Sequence, residues 1–163
     1  MTINVAPVAD APTLSVDDEN INTPEDTAVA LGLEAPIITD DGTGPGNNAT
    51  AERIGEITLT GLPEGATLSW GGGSPHVVDA SGSVTITLSD AALVDSASGE
   101  LSMTGAQFEG MTVTPPAHAS ENFEVTYSVT SYEVDGTGTI LPGVPGATSS
   151  ETVAVYVEAV TDP

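Results

Sequence analysis

The sequence predicts an all-β protein, an antiparallel β-sandwich, on three observations. Apolar residues recur at period two in short runs, Gly and Pro clusters separate those runs, and no stretch holds the helical period for any length. Roughly eight to ten short strands with turn signals between them suit two packed sheets better than alternating strands and helices. Aromatic residues are only 4% of the chain, and β-branched inner faces interdigitate without large rings.

The elements follow in order. Residues 13–16 read as a short strand, and Asp17, Asp18, Glu19 and Asn20 as an acidic loop. Pro24, Glu25 and Asp26 introduce 27–33, where Thr27, Val29, Leu31 and Leu33 share one face, and 36–39 continues that run. A polar loop of turn residues spans 40–48. Alternation resumes over 56–60, Gly61 to Gly65 turns, and 66–70 makes another short strand. Gly71, Gly72, Gly73, Ser74 and Pro75 form a breaker cluster, read as a hairpin-like excursion. The run 84–88 alternates cleanly, with a turn or helical stub over 89–95. Residues 99–104 lead through Gly105 to Phe108 into 111–114, closed by Pro115 and Pro116. The clearest strand is 122–130, with Phe123, Val125, Tyr127 and Val129 on one face and Glu124, Thr126, Ser128 and Thr130 on the other. A Gly/Pro-rich loop, 131–150, separates it from a last strand, 151–160, whose inner face is Val153, Val155 and Val157.

Composition bounds what such a sandwich does. With 163 residues, 39% of them hydrophobic, the chain supports one core. Arg53 is the sole Lys or Arg against 24 Asp plus Glu, for a formal charge of −23. Nucleic acid and anionic membrane surfaces are bound by basic patches, so neither is an expected partner. No apolar run reaches the ~20 residues a spanning helix needs, and no insertion into a membrane is expected. Met1, Thr2, Ile3 and Asn4 lack the basic and then apolar head of a signal peptide. Cysteine is absent, so disulfides cannot fasten the polar ends. Two carboxylates ~5 Å apart repel by roughly 3 kcal/mol at an effective dielectric of 20, and a bound cation is the direct remedy.

The ends of the chain echo each other. Val8, Ala9, Asp10, Ala11 and Pro12 are matched by Val160, Thr161, Asp162 and Pro163, as in one period cut from a tandem array. Residues 1–11 are accordingly read as a seam to a preceding repeat, 12–160 as one domain, and 161–163 as the seam to the next.

Those seams, together with Glu25, Asp26 and Thr27 before the second strand, the run Gly61, Leu62, Pro63, Glu64, Gly65, Ala66, Thr67, Leu68, Ser69, and the run from Phe108 to Pro116, resemble the bacterial Ig-like, cadherin-like repeats of giant repeats-in-toxin adhesins. The resemblance spans nearly the whole chain. It implies a calcium-dependent, Greek-key Ig-like sandwich, stacked on adjacent repeats of the same polypeptide in a surface fibre exported by type I secretion, hence an extracellular location. This copy departs from that pattern by longer loops at 42–51, 71–81, 90–99 and 136–150. They leave room for an alternative role as a module that grips a glycan or a surface protein.

An Ig-like Greek key puts the two termini at opposite poles. Asp10 is then expected beside Asp40, Asp41, Glu52, Glu133 and Asp135, and Asp162 beside Glu25, Asp26 and Glu121. Calcium takes six to eight oxygens from carboxylates, carbonyls and water, which such discontinuous clusters supply. Zinc and copper are poorly served by His76 and His118 alone. No EF-hand spacing starts at Asp17 or Asp40. The pair Asp17 and Asp18 reads as solvated loop charge, and the two histidines as plain loop residues. Trp70 is expected in the core rather than stacked on a sugar. No Gly-x-Ser-x-Gly elbow is present, and the acid pairs lack a surrounding aromatic cleft, so no enzymatic activity is expected.

Overall fold

A computed structural model describes residues 9–38, 51–71 and 75–161. Among them lie β1 (Asn20–Pro24), β2 (Val29–Ala30), β3 (Ala51–Ile54), β4 (Ile57–Thr60), β5 (Thr67–Ser69), β6 (His76–Val77), β7 (Val84–Leu88), β8 (Leu101–Met103), α1 (Gly105–Glu109), β9 (Thr112–Thr114), β10 (Phe123–Val134) and β11 (Ala147–Glu158). The fold is all-β, in two sheets. The larger runs β1, β11, β10, β4, β7, β8, with β3 also paired to β10, and the smaller runs β2, β9, β5, β6.

Period-two alternation places the core. Val125, Tyr127 and Val129 of β10, Ile57 and Leu59 of β4, Val84, Ile86 and Leu88 of β7, and Val153 and Val155 of β11 all point inward and are buried. Leu68 and Val113 of the smaller sheet join the same cluster, with Leu31, Leu33, Phe108 and Met111. Each such side chain contributes about 1.5–3 kcal/mol on burial. The rings of Tyr127 and Phe108 meet edge to face at 5.3 Å, and the Tyr127 hydroxyl donates to the Glu34 carbonyl at 2.9 Å. The outward partners are hydroxyls. Thr126 with Thr152, Ser128 with Ser150 and Thr130 with Thr148 face each other across β10 and β11 at 3.4, 3.0 and 2.7 Å.

The smaller sheet is antiparallel throughout. The larger is mixed rather than antiparallel: β1 runs parallel to β11 and β7 parallel to β8. Strand β1 begins at Asn20, the last residue of the expected acidic loop, and covers 21–23, to which no element was assigned, because Asn20, Asn22 and Pro24 disguise an edge strand whose exposed side needs no alternation. The expected strand at 13–16 makes only two isolated bridges, Thr13 to Ile37 and Val16 to Leu33. The loop expected over 131–150 is shorter, since β10 continues to Val134 and β11 starts at Ala147, nine facing pairs holding them together. A short helix, α1, stands where a plain connector was expected. Thr104 caps it by accepting from the Gln107 N–H while the Gln107 side chain accepts from the Thr104 N–H, a capping box. Residues 89–95 form turns instead of a helical stub.

Candidate functional site

The inner face of β10 changes character along its length. After Val125, Tyr127 and Val129 the same face presents Ser131 and Glu133, both buried, at 0% and 1% exposure. Directly opposite Glu133 in the β3 register lies Glu52, at 0% exposure. Ser131 Oγ is buried with no hydrogen-bond partner among the described residues. Two acids and a hydroxyl thus occupy buried positions at one end of the larger sheet. Side chains facing each other across a ladder have Cβ atoms ~4.5–5.5 Å apart, and like charges there are destabilising. A cation held between two facing carboxylates offsets such repulsion.

The segment at Asp10 to Pro12 reaches this spot. The Asp10 main-chain N–H donates to Glu52 Oε2 at 2.8 Å, and Ser149 Oγ donates to the Pro12 carbonyl at 2.6 Å. The structure therefore brings Asp10, Glu52 and Glu133 together, with the Asp10 side chain exposed. Asp135 lies just past β10, and its Oδ1 accepts from the Thr137 N–H and hydroxyl and from the Thr139 N–H at 2.6–3.1 Å. Those bonds hold its carboxyl below the ordinary carboxylate range, the Thr137 hydroxyl contributing most. That oxygen organises the loop. Asp40 and Asp41 lie outside the described residues.

The other end of the domain gathers a second set. From Phe123 to Glu133 β10 spans ~33 Å at 3.3 Å per residue, which separates the two ends. Glu25, 7% exposed, accepts at Oε1 from the Val160 N–H at 2.9 Å, while its own N–H donates to the Glu158 carbonyl. Asp26, at φ 61°, accepts from the His118 N–H at 3.1 Å. Both acids thus serve backbone donors: Glu25 ties the C-terminal segment to the turn after β1, and Asp26 ties the segment at His118 to the same turn. Glu121 is exposed, and beside it Asn122 Oδ1 accepts from the Val157 N–H at 2.8 Å, a role not anticipated from sequence. Asp162 is outside the described residues.

A third acidic group was not legible in the sequence. Glu34 is raised to about 7, first by a side-chain hydrogen bond with Asp17, then by one with Glu109, and further by their charges. Asp17 is exposed, as expected of loop charge, and it also sits against the Glu34 carboxyl. Glu109 Oε2 also accepts from the Ala35 N–H at 2.9 Å, which joins the end of α1 to the 32–37 segment.

His76 stands in β6 rather than in a loop, its Nε2 3.8 Å from a Glu100 carboxylate oxygen, whereas Trp70 packs against the core as expected. No group of three or more His, Asp or Glu side chains is arranged to hold a metal among the described residues. The donor set at Glu52, Glu133 and Ser131 is nonetheless all oxygen, which is the chemistry of a hard cation such as calcium. No family model matches the chain, and no characterised protein or solved structure is significantly similar to it.

Proposed function

We propose that this chain is a calcium-binding structural link of a bacterial surface adhesin, an Ig-like, cadherin-like extender joined to adjacent repeats and working outside the cell, without enzymatic activity. The observation that carries the reading is the buried, directly opposed pair Glu52 and Glu133, with the seam residue Asp10 bonded to one of them. Burying two facing carboxylates carries a desolvation and repulsion cost, which a divalent cation bound by both would offset in part.

Calcium, when bound, would supply that counter-charge through Glu52 and Glu133. The chain's own residues do the rest. Glu52 holds the Asp10 N–H, Ser149 holds the Pro12 carbonyl, and together they fix the direction in which the seam leaves the domain. At the far end Glu25 fixes Val160 in the same manner. A seam fixed at both ends behaves as a stiff joint, whereas a free Pro-containing linker behaves as a hinge.

Thermal melts in calcium, in magnesium and in chelator test the proposal. Sites in extracellular modules have Kd about 10⁻⁴–10⁻³ M, so ~10 mM calcium adds about 1.4–2.7 kcal/mol, or roughly 3–10 °C in Tm. Magnesium, which demands strict octahedral geometry, is expected to give less. Coincident curves in the three conditions would end the reading.

A further inference from the structure

Two of the long loops meet over the outer face of the larger sheet, away from the buried acids. Residues 92–94 are clipped to β3, the Ile54 N–H donating to the Ala92 carbonyl at 3.0 Å and the Val94 N–H to the Ile54 carbonyl at 2.9 Å. The loop after β10 folds back through a bridge between Val134 and Ile140 and the Leu141 N–H bonded to the Glu133 carbonyl. The loops are then fastened to each other. The Asp95 N–H donates to the Gly138 carbonyl at 2.9 Å, and the Thr139 hydroxyl to Asp95 Oδ2 at 2.9 Å.

Between these walls and the sheet lies a cavity of about 210 Å³, with Glu56, Ser96, Thr58, Thr130 and Tyr132 among its lining residues. The Tyr132 ring occupies space that two glycines leave open: a methyl at Gly55 would lie 3.4 Å from one ring edge, and a methyl at Gly146 2.7 Å from the other. The lining offers three aliphatic hydroxyls, one carboxylate and one phenol ring, with Val94, Ile140 and Gly55 completing it. Pockets for drug-sized ligands run to ~300–1,000 Å³ and are mostly apolar, so this one suits something smaller and more polar. Anions are disfavoured by Glu56 and by a net charge of −23. One carboxylate falls well short of the ~6–8 oxygens that calcium takes. A neutral sugar ring fits what remains, with vicinal hydroxyls for Glu56 and the Ser/Thr groups and an apolar C–H face for Tyr132.

The geometry points to a pre-formed binding site for one neutral sugar residue, independent of the acids at the ends of the domain. Tyr132 and Glu133 project to opposite faces of β10, so the two sites are separable. Because the loops are fastened before any ligand arrives, little ordering is left to oppose binding. Beyond the cavity, Thr58 faces Ser128 in the ladder and Thr130 faces Thr148, so hydroxyls continue along the surface on which further sugar units would lie.

The test is a titration of the ¹⁵N-labelled chain with glucose, galactose, mannose and N-acetylglucosamine, with ethanolamine as an amine control, each in calcium and in chelator. The expected result is a saturable shift of the Gly55, Glu56, Ser96 and Tyr132 amides by at least one sugar, with Kd on the order of 1 mM. Glu56→Gln and Ser96→Ala should each weaken it about tenfold with the rest of the spectrum unchanged. Gly146→Ala, which pushes on Tyr132, should abolish it, and should it unfold the chain the other two variants still decide. The site is refuted if no sugar moves those amides, if the variants bind unchanged, or if only ethanolamine binds. Loss of binding in chelator would refute its independence from the metal.

Discussion

The main-chain N–H of Asp10 and the carboxylate of Glu52, 42 positions apart, meet at 2.8 Å, so the way into the domain is fixed by a buried acid that itself faces Glu133. Replacing that acid by its amide keeps an oxygen for the Asp10 N–H but deletes one of two opposed charges. Glu52→Gln should therefore melt at or above the parent in chelator, and should lack the rise of roughly 3–10 °C that the proposed calcium site predicts for the parent. Differential scanning fluorimetry reads both arms. A variant that kept the full calcium response would show that Glu52 is no ligand.

Glu34 should make stability fall as pH rises. Its carboxyl titrates near 4.5 in the unfolded chain and near 7 in the folded one, so between those values the folded state holds more protons. The stabilisation is complete below pH 4.5, declines through about 7, and changes no further above it. Urea midpoints across that window, parent against Glu34→Gln, isolate the effect: the variant should have the flatter profile. Parallel profiles would mean that Asp17 and Glu109 do not share a proton with Glu34.

Tyr127→Phe keeps the ring against Phe108 but leaves the Glu34 carbonyl without its 2.9 Å donor. About 1 kcal/mol should be lost, or roughly 2–4 °C in Tm. A loss of less than half a degree would place water on that carbonyl.

Gly61→Ala should be far more costly than Gly71→Ala. Gly61 has φ 83° and any methyl there runs into the Glu124 carbonyl oxygen, whereas nothing lies within 4 Å of a methyl at Gly71. The first should lose about 1–3 kcal/mol or more and the second stay within about 0.5 kcal/mol, by chemical denaturation. Equal losses would show that the turn after β4 relaxes freely.

How much was readable follows from how local each signal is. Strands β4, β7, β10 and β11 carry their alternation in their own residues, and they are where it places them. Strand β8 is three residues long, and its parallel partner β7 is fixed by tertiary packing that no short window contains. The capping signature at Thr104 and Gln107 was present and was read as a connector, because only five residues follow it in helical form. Among the acids, Glu52 and Glu133 meet because β3 and β10 share a ladder, as the expectation of a common pole required. Asp17, Glu34 and Glu109 come from three segments with no common spacing, so nothing in the sequence joins them. Glu25, Asp26 and Asp135 are acids at strand ends, the places where backbone N–H groups need acceptors, and each serves such a donor.

The parallel pairing of β1 with β11 has a mechanical meaning. Under a force that draws the two ends of the chain apart, β1 is hauled toward its start and β11 toward its finish, so the five paired positions from Asn20 with Ala154 to Pro24 with Glu158 slide against one another and must yield as a group. An antiparallel hairpin in that place would unzip one rung at a time under far less tension.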